Sequence, residues 1–201
     1  MRMNRSLLVA TGVALSLSLT ACGSNSTAAD TNSSSSTTQA ADIAFAQLMI
    51  PHHEQAVEMA DMALENASSS TVKKLATQIR KAQAPEINQM TTWLTNWGAP
   101  TTMPGSDASG MAGMDHSGMD MGGMSSAGMM SDDDMAALGK ARGANFDRMW
   151  LQMMISHHRG ALDMANEVLG TTTDTDVTAL AKAIVKGQTA EIATMQKALA
   201  G

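Results

Sequence analysis

Two short stretches carry most of the chemistry this chain could perform. "MIPHHEQAVEMA" at 49–60 and "MISHHRGALDMA" at 154–165 each place two adjacent histidines in an apolar run, with methionines before and after. Neutral imidazole and thioether form a donor set suited to copper, Cu(I) above all, and by softness to Ag(I). A thioether has no proton to lose at neutral pH and cannot be consumed in a disulfide, so it serves as a ligand in an oxidising compartment. Zinc would want more histidine, carboxylate or cysteine. Di-iron bundles pair Glu with Glu-x-x-His, and no Glu stands three residues ahead of either pair. Iron and zinc are therefore the alternatives to copper.

Spacing limits how these residues can cooperate. A helical turn takes 3.6 residues, so neighbours such as His52 and His53 point about 100° apart and cannot easily grip one ion from a single helix. Met49 and His53 are four apart, as are Met154 and His158, and each such pair shares a face. The expected site has these Met/His pairs converging across a bundle. His52 and His157 would complete it or form a second site, and Met59 and Met164 would extend the sulfur lining one turn on. Glu86 and Glu191 could orient a histidine from behind, or serve as polar groups of the bundle interior.

A second group of donors stands between the two motifs. "MPGSDASGMAGMDHSGMDMGGMSSAGMM", 103–130, holds eight Met, one His and seven Gly. Its Gly, Ser and Asp content predicts a flexible loop, so its methionines are not explained as interior packing. Met111, Met114, His116, Met119, Met121 and Met124 could capture soft ions and pass them to the bundle. Scavenging of oxidants is the alternative use of such residues.

The elements that must hold the motifs follow from an internal repeat. A shift of 105 residues aligns 42–96 with 147–201 without a gap, matching Asp42/Asp147, Gln47/Gln152, both His pairs, Met59/Met164, Gln83/Gln188, Glu86/Glu191 and Met90/Met195, among others. In each copy apolar residues recur at i, i+3, i+4 and i+7 over two segments. "NASSST" (66–71) and "GTTTDTD" (170–176) separate the segments as turns. Each copy is thus a helical hairpin, 42–97 and, with a short extra helix, 132–201; the loop 98–131 joins them. Ser131 and Asp134 resemble a capping box that starts the extra helix, and "WGAP" (97–100) closes the first hairpin. Two hairpins with one apolar face each bury those faces best against one another, which predicts an all-α four-helix bundle. Pro51 is the local conflict: inside a helix it frees the Gln47 carbonyl at a cost near ~3 kcal/mol. Ser156 stands at the matching position, so the duplicated architecture does not require proline.

Composition agrees with helices: 20 Met, three Trp, two Phe and no Tyr leave Ala, Leu, Ile, Val and Met to fill the interior. Arg2, Arg5 and the apolar stretch up to Ala21 read as a signal peptide over 1–21. Leu19-Thr20-Ala21-Cys22 resembles a lipobox, which makes Cys22, the only cysteine, the acylated residue and 22–41 a Ser/Thr-rich tether. With 1–21 removed, 11 Lys+Arg face 19 Asp+Glu, a net charge of −8. Such an acidic chain does not suit nucleic acid or anionic lipid. The expected partners are a metal ion and, through Cys22, the outer face of the cytoplasmic membrane. No protein partner is legible.

With both "MIxHH" and both "Q..EI..M" elements placed, 42–200 resembles the domain of unknown function 305 family (DUF305), the Met-rich insertion aside. The resemblance implies a ferritin-like four-helix bundle, secreted or membrane-anchored, with CopM-like members that bind periplasmic copper and are linked to copper resistance. Carried over by position, it implicates His52, His53, His157, His158, Met49, Met154, Met59 and Met164. The expected function is copper buffering, delivery or resistance without catalysis. A ferritin-like redox enzyme and a metal-free structural module are the competing readings, and no motif for hydrolysis or group transfer is present.

Overall fold

The computed structural model of the protein describes residues 30–103 and 128–200, with side chains from residue 37 onward. Among these residues all regular structure is helical: α1 (Asp30–Asn66), α2 (Ser70–Asn96), α3 (Asp132–Lys140), α4 (Gly143–Thr171) and α5 (Thr175–Ala200). The four long helices form the bundle. Helix α1 packs along α2, α4 along α5, and the two hairpins meet chiefly through α1 and α4. The all-α four-helix architecture read from the repeat is the one observed. Helix α1 begins at Asp30, so residues 30–41 of the polar stretch are helical.

Local chemistry sets the helix ends. Ser69 caps α2 and accepts from the Val72 amide. Ser131 and Asp134 form a full capping box at α3, whose first turn carries Asp132, Asp133 and Asp134 against the helix dipole. Gly98, at φ 66°, reverses the chain after α2 while the amides of Gly98 and Ala99 return to Thr95 and Leu94. Pro51 stays within a continuous α1 with its ring exposed. The duplicated aspartates tie the hairpins together. Asp147, on α4, accepts from the amides of Ser68 (3.1 Å) and Ser69 (2.9 Å) and from the Ser68 hydroxyl, and so holds the turn of the first hairpin.

The core divides into two apolar clusters. One joins Ala56–Ala63 of α1, Ala67 of the turn that follows and Val72–Ile79 of α2 with Phe146–Ile155 of α4, Met195, and Met135 and Leu138 of α3. The other joins Phe45–Ile50 of α1 and Met90 and Leu94 of α2 with Ala161–Val168 of α4 and Val177–Ile184 of α5. The early part of α1 thus sits beside the late part of α4, so these two helices run antiparallel. Trp150, fully buried, anchors the first cluster and donates its indole N–H to the Met59 carbonyl at 2.8 Å. Residues 52, 53, 157 and 158 belong to neither cluster, and they occupy the stretch between the two.

Candidate metal centre

All four histidines are buried: His52 is 2 % exposed, His157 1 %, His53 and His158 0 %. Antiparallel packing of α1 on α4 brings the matched residues His52 and His157 into contact, with ring centroids 3.7 Å apart and planes tilted by 37°. The other two rings turn toward their own hairpins. His53 Nε2–H donates to Glu86 Oε2 at 2.8 Å, and His158 Nε2–H donates to Glu191 Oε2 at 2.8 Å. A carboxylate that accepts from Nε2 fixes the tautomer and leaves Nδ1 as the lone-pair nitrogen. In both rings that Nδ1 is buried and has no hydrogen-bond partner.

The surroundings of His157 disfavour its charged form. Both of its nitrogens are buried without a well-formed hydrogen bond. Burial first, then the neighbouring rings of His52, His158 and His53, hold its pKa well below the usual 6.5, with the His52 backbone a weak opposing influence. A neutral imidazole at ordinary pH is the state that ligates a metal. An unpaired buried polar group costs about 1–3 kcal/mol, and several sit in one layer here. Gln83, 2 % exposed, lies three residues before Glu86 with its side-chain oxygen and nitrogen unpartnered; the matched Gln188 has an unpartnered oxygen.

The methionines sort by cluster. Met49 joins Met164 and Met90 on one side of the imidazoles, while Met154 joins Met59 and Met195 on the other. All six are at most 2 % exposed. Convergence of the two Met/His pairs is therefore not what the helices provide: antiparallel packing separates Met49 from Met154 and brings His52 to His157. Met90 and Met195 share the environment of the expected thioethers although spacing alone marks them as core. The buried glutamines were also missed; their duplication beside Glu86 and Glu191 was the available signal. Cys22, Met111, Met114, His116, Met119, Met121 and Met124 lie outside the described residues.

Among the described residues no three His, Cys, Asp or Glu side chains gather in a way that could hold a metal ion. A cavity of about 300 Å³ beside Asp42, Trp97 and Asp174 contains none of the expected ligands. No described helix is long and apolar enough to cross a membrane.

Two helical hairpins related by duplication, clasping a buried imidazole layer, define a class of bundle proteins. The DUF305 profile matches residues 42–199, and the chain belongs to that family. Its structure is similar to that of a DUF305 protein from Streptomyces coelicolor described as secreted (32% identity, 80% of this chain and 92% of that one, TM-score 0.68). It is also similar to a DUF305 fragment from Deinococcus radiodurans (31%, 80% and 95%, TM-score 0.66). A third similar structure is CopM in its Cu(II)-bound form (35%, 79% and 95%, TM-score 0.62), and CopM has also been solved in Cu(I)-bound and Ag-bound forms. No curated protein sequence matches the chain significantly.

Proposed function

We propose that this protein is a non-enzymatic carrier of copper, as Cu(I) and by softness also Ag(I), outside the cytoplasmic membrane. The observation that carries the reading is the buried imidazole layer. His53 and His158 have their tautomers fixed by Glu86 and Glu191 so that Nδ1 is a lone-pair donor, and His157 keeps two unsatisfied nitrogens and a neutral ring. Such an arrangement costs stability in the metal-free protein and fits a ligand that accepts nitrogen lone pairs. Met49, Met90 and Met164 on one side, and Met59, Met154 and Met195 on the other, supply soft donors next to it. Kinship with CopM, solved with Cu(II), Cu(I) and Ag, supports the choice of metal.

The outer parts of the chain extend this role. The loop methionines Met111, Met114, Met119, Met121 and Met124, with His116, collect soft ions, and Cys22 carries the lipid that keeps the domain at the outer face of the membrane. A competitive Cu(I) titration tests the reading in three proteins: the wild type, a variant with His52, His53, His157 and His158 all replaced by alanine, and a deletion of 104–127. Unchanged affinity in the histidine variant would remove the bundle site. Unchanged stoichiometry in the deletion would remove capture by the loop.

A further inference from the structure

The thioethers are not shared evenly between the two ends of the bundle. Besides Met59, Met154 and Met195, the first core cluster is bordered by four partly buried methionines: Met62 on α1, Met149 and Met153 on α4, and Met130 just ahead of α3. No methionine borders the second cluster in this way among the described residues. The other copy of the repeat does not share the excess. Met62, Met149 and Met153 match Glu167, Ala44 and Leu48 in the other copy. Met149 and Met153 are four apart and share one helix face, which runs on toward His157.

Met130 is held on purpose-built contacts. The Gln55 side chain takes both of its backbone polar groups: Gln55 Nε2 donates to the Met130 carbonyl at 2.9 Å, and the Met130 amide donates to Gln55 Oε1 at 2.8 Å. Two residues earlier, Gly128 adopts φ 77° and lies against α4. A Cβ there would stand 2.6 Å from the Ser156 carbonyl oxygen, 3.0 Å from that of His157 and 3.1 Å from the Gly160 Cα. Gln55 and Gly160 are matched positions of the repeat, each three residues beyond one of the touching rings, His52 and His157. Residues 128–130 therefore cross the α1/α4 seam beside that ring contact. The copies have diverged where one strand must rest on a two-fold arrangement: an amide grips it on one flank and a glycine makes room on the other.

We infer that Met62, Met130, Met149 and Met153 form a second soft-metal site, a partly exposed thioether port on the α1/α4 seam through which a monovalent soft cation reaches the buried imidazoles, with Gln55 positioning Met130. This rests on the copper-carrier reading. Thioethers bind such ions weakly and exchange them readily, which suits entry, while imidazole nitrogens add retention.

The test uses the full chain with ¹³C-labelled methionine methyl groups, titrated with Ag(I) and followed by NMR together with the histidine ring signals. The histidine signals should shift at the first substoichiometric additions, and the methyls of Met62, Met130, Met149 and Met153 should follow once the histidines are saturated. A variant with all four replaced by leucine should load its histidines at least about tenfold more slowly from a Cu(I) chelator, with unchanged final histidine occupancy. In Gln55→Leu, Met130 alone should lose its response. If the histidine signals shift while the four methyls stay silent, or the leucine variant loads at the wild-type rate, the port is wrong and the carrier reading stands. If neither histidines nor methyls respond, both fall. A Met130 response that survives in Gln55→Leu overturns the positioning role.

Discussion

Replacement of His157 by leucine should make the metal-free protein more stable, an unusual outcome for a residue 1 % exposed at a helix contact. Both ring nitrogens lack a well-formed hydrogen bond, so a buried donor and a buried acceptor go unsatisfied. Each such group costs about 1–3 kcal/mol. Leucine is close in volume and removes both, while imperfect repacking against His52 returns up to about 1.5 kcal/mol. The balance is a gain of about 2 kcal/mol, which for a domain of this size raises the melting temperature by about 4–8 °C. Thermal unfolding by circular dichroism in the presence of a copper chelator measures it. His158→Leu is the internal contrast. It strips Glu191 of its 2.8 Å partner in a partly buried setting and should lower stability by about 1–2 kcal/mol. A His157→Leu protein that melts well below the wild type would mean that the ring is satisfied in the native state, and the imidazole layer would then be structural. Added Ag(I) should raise the wild-type melting temperature and have a smaller effect on His157→Leu, since stabilisation by a ligand follows its affinity for the folded state.

Three further outcomes follow from the same geometry. In the metal-free protein, His157 has its folded pKa below the unfolded 6.5, so the unfolded chain binds more protons and stability present above pH 6.5 is lost as pH falls below it. Asp42 acts in the opposite sense: burial chiefly, with Asp174 adding and Thr172 opposing, raises its pKa, so Asp42→Asn should stabilise at pH 7 and lose that advantage toward pH 4; urea titrations at stepped pH check both. Glu86→Gln can donate to His53 Nε2 and so favour the tautomer with Nδ1 protonated, which should weaken Cu(I) affinity about 10–100-fold in a chelator competition while moving the unfolding midpoint little. Asp147→Ala removes the acceptor for two amides and one hydroxyl at the first hairpin turn, and should cost about 2–4 kcal/mol by chemical denaturation without changing metal affinity.

The fold was legible because it is written twice. A gapless 105-residue register with helical spacing in both copies leaves few arrangements besides two packed hairpins, and the apolar periodicities of Val72–Leu94 and Val177–Leu199 became α2 and α5. The capping box at Ser131 and the stop at Gly98 were legible for the same local reasons that operate in the structure. What spacing could not give was the relative direction of α1 and α4. Each copy contains the same His-His pair, and only antiparallel contact decides that His52 meets His157 while Met49 is placed with Met164 rather than with Met154. The same long-range geometry hides Gln55. On a helical wheel it is an unremarkable polar residue, and its use depends on a segment 75 residues away in sequence.

Duplication also explains why the site is asymmetric. Two identical hairpins packed about a two-fold would present identical seams, and a single connecting segment can lie across such a seam only by favouring one flank. Once Gly128–Met130 crosses there, the two copies face different demands: position 55 must grip a backbone and position 160 must yield to one. The buried layer feels no such pressure, since His52/His157, His53/His158, Glu86/Glu191 and Gln83/Gln188 remain paired in kind. The division falls between an interior whose donors still match across the axis and an edge where they do not. Exchanging the edge residues, with Gln55→Gly joined to Gly160→Gln, should therefore displace the 128–130 segment and slow metal loading, yet leave the equilibrium affinity of the imidazole layer close to that of the wild type. A loss of affinity as large as that of the four-histidine variant would mean that edge and interior act as one unit.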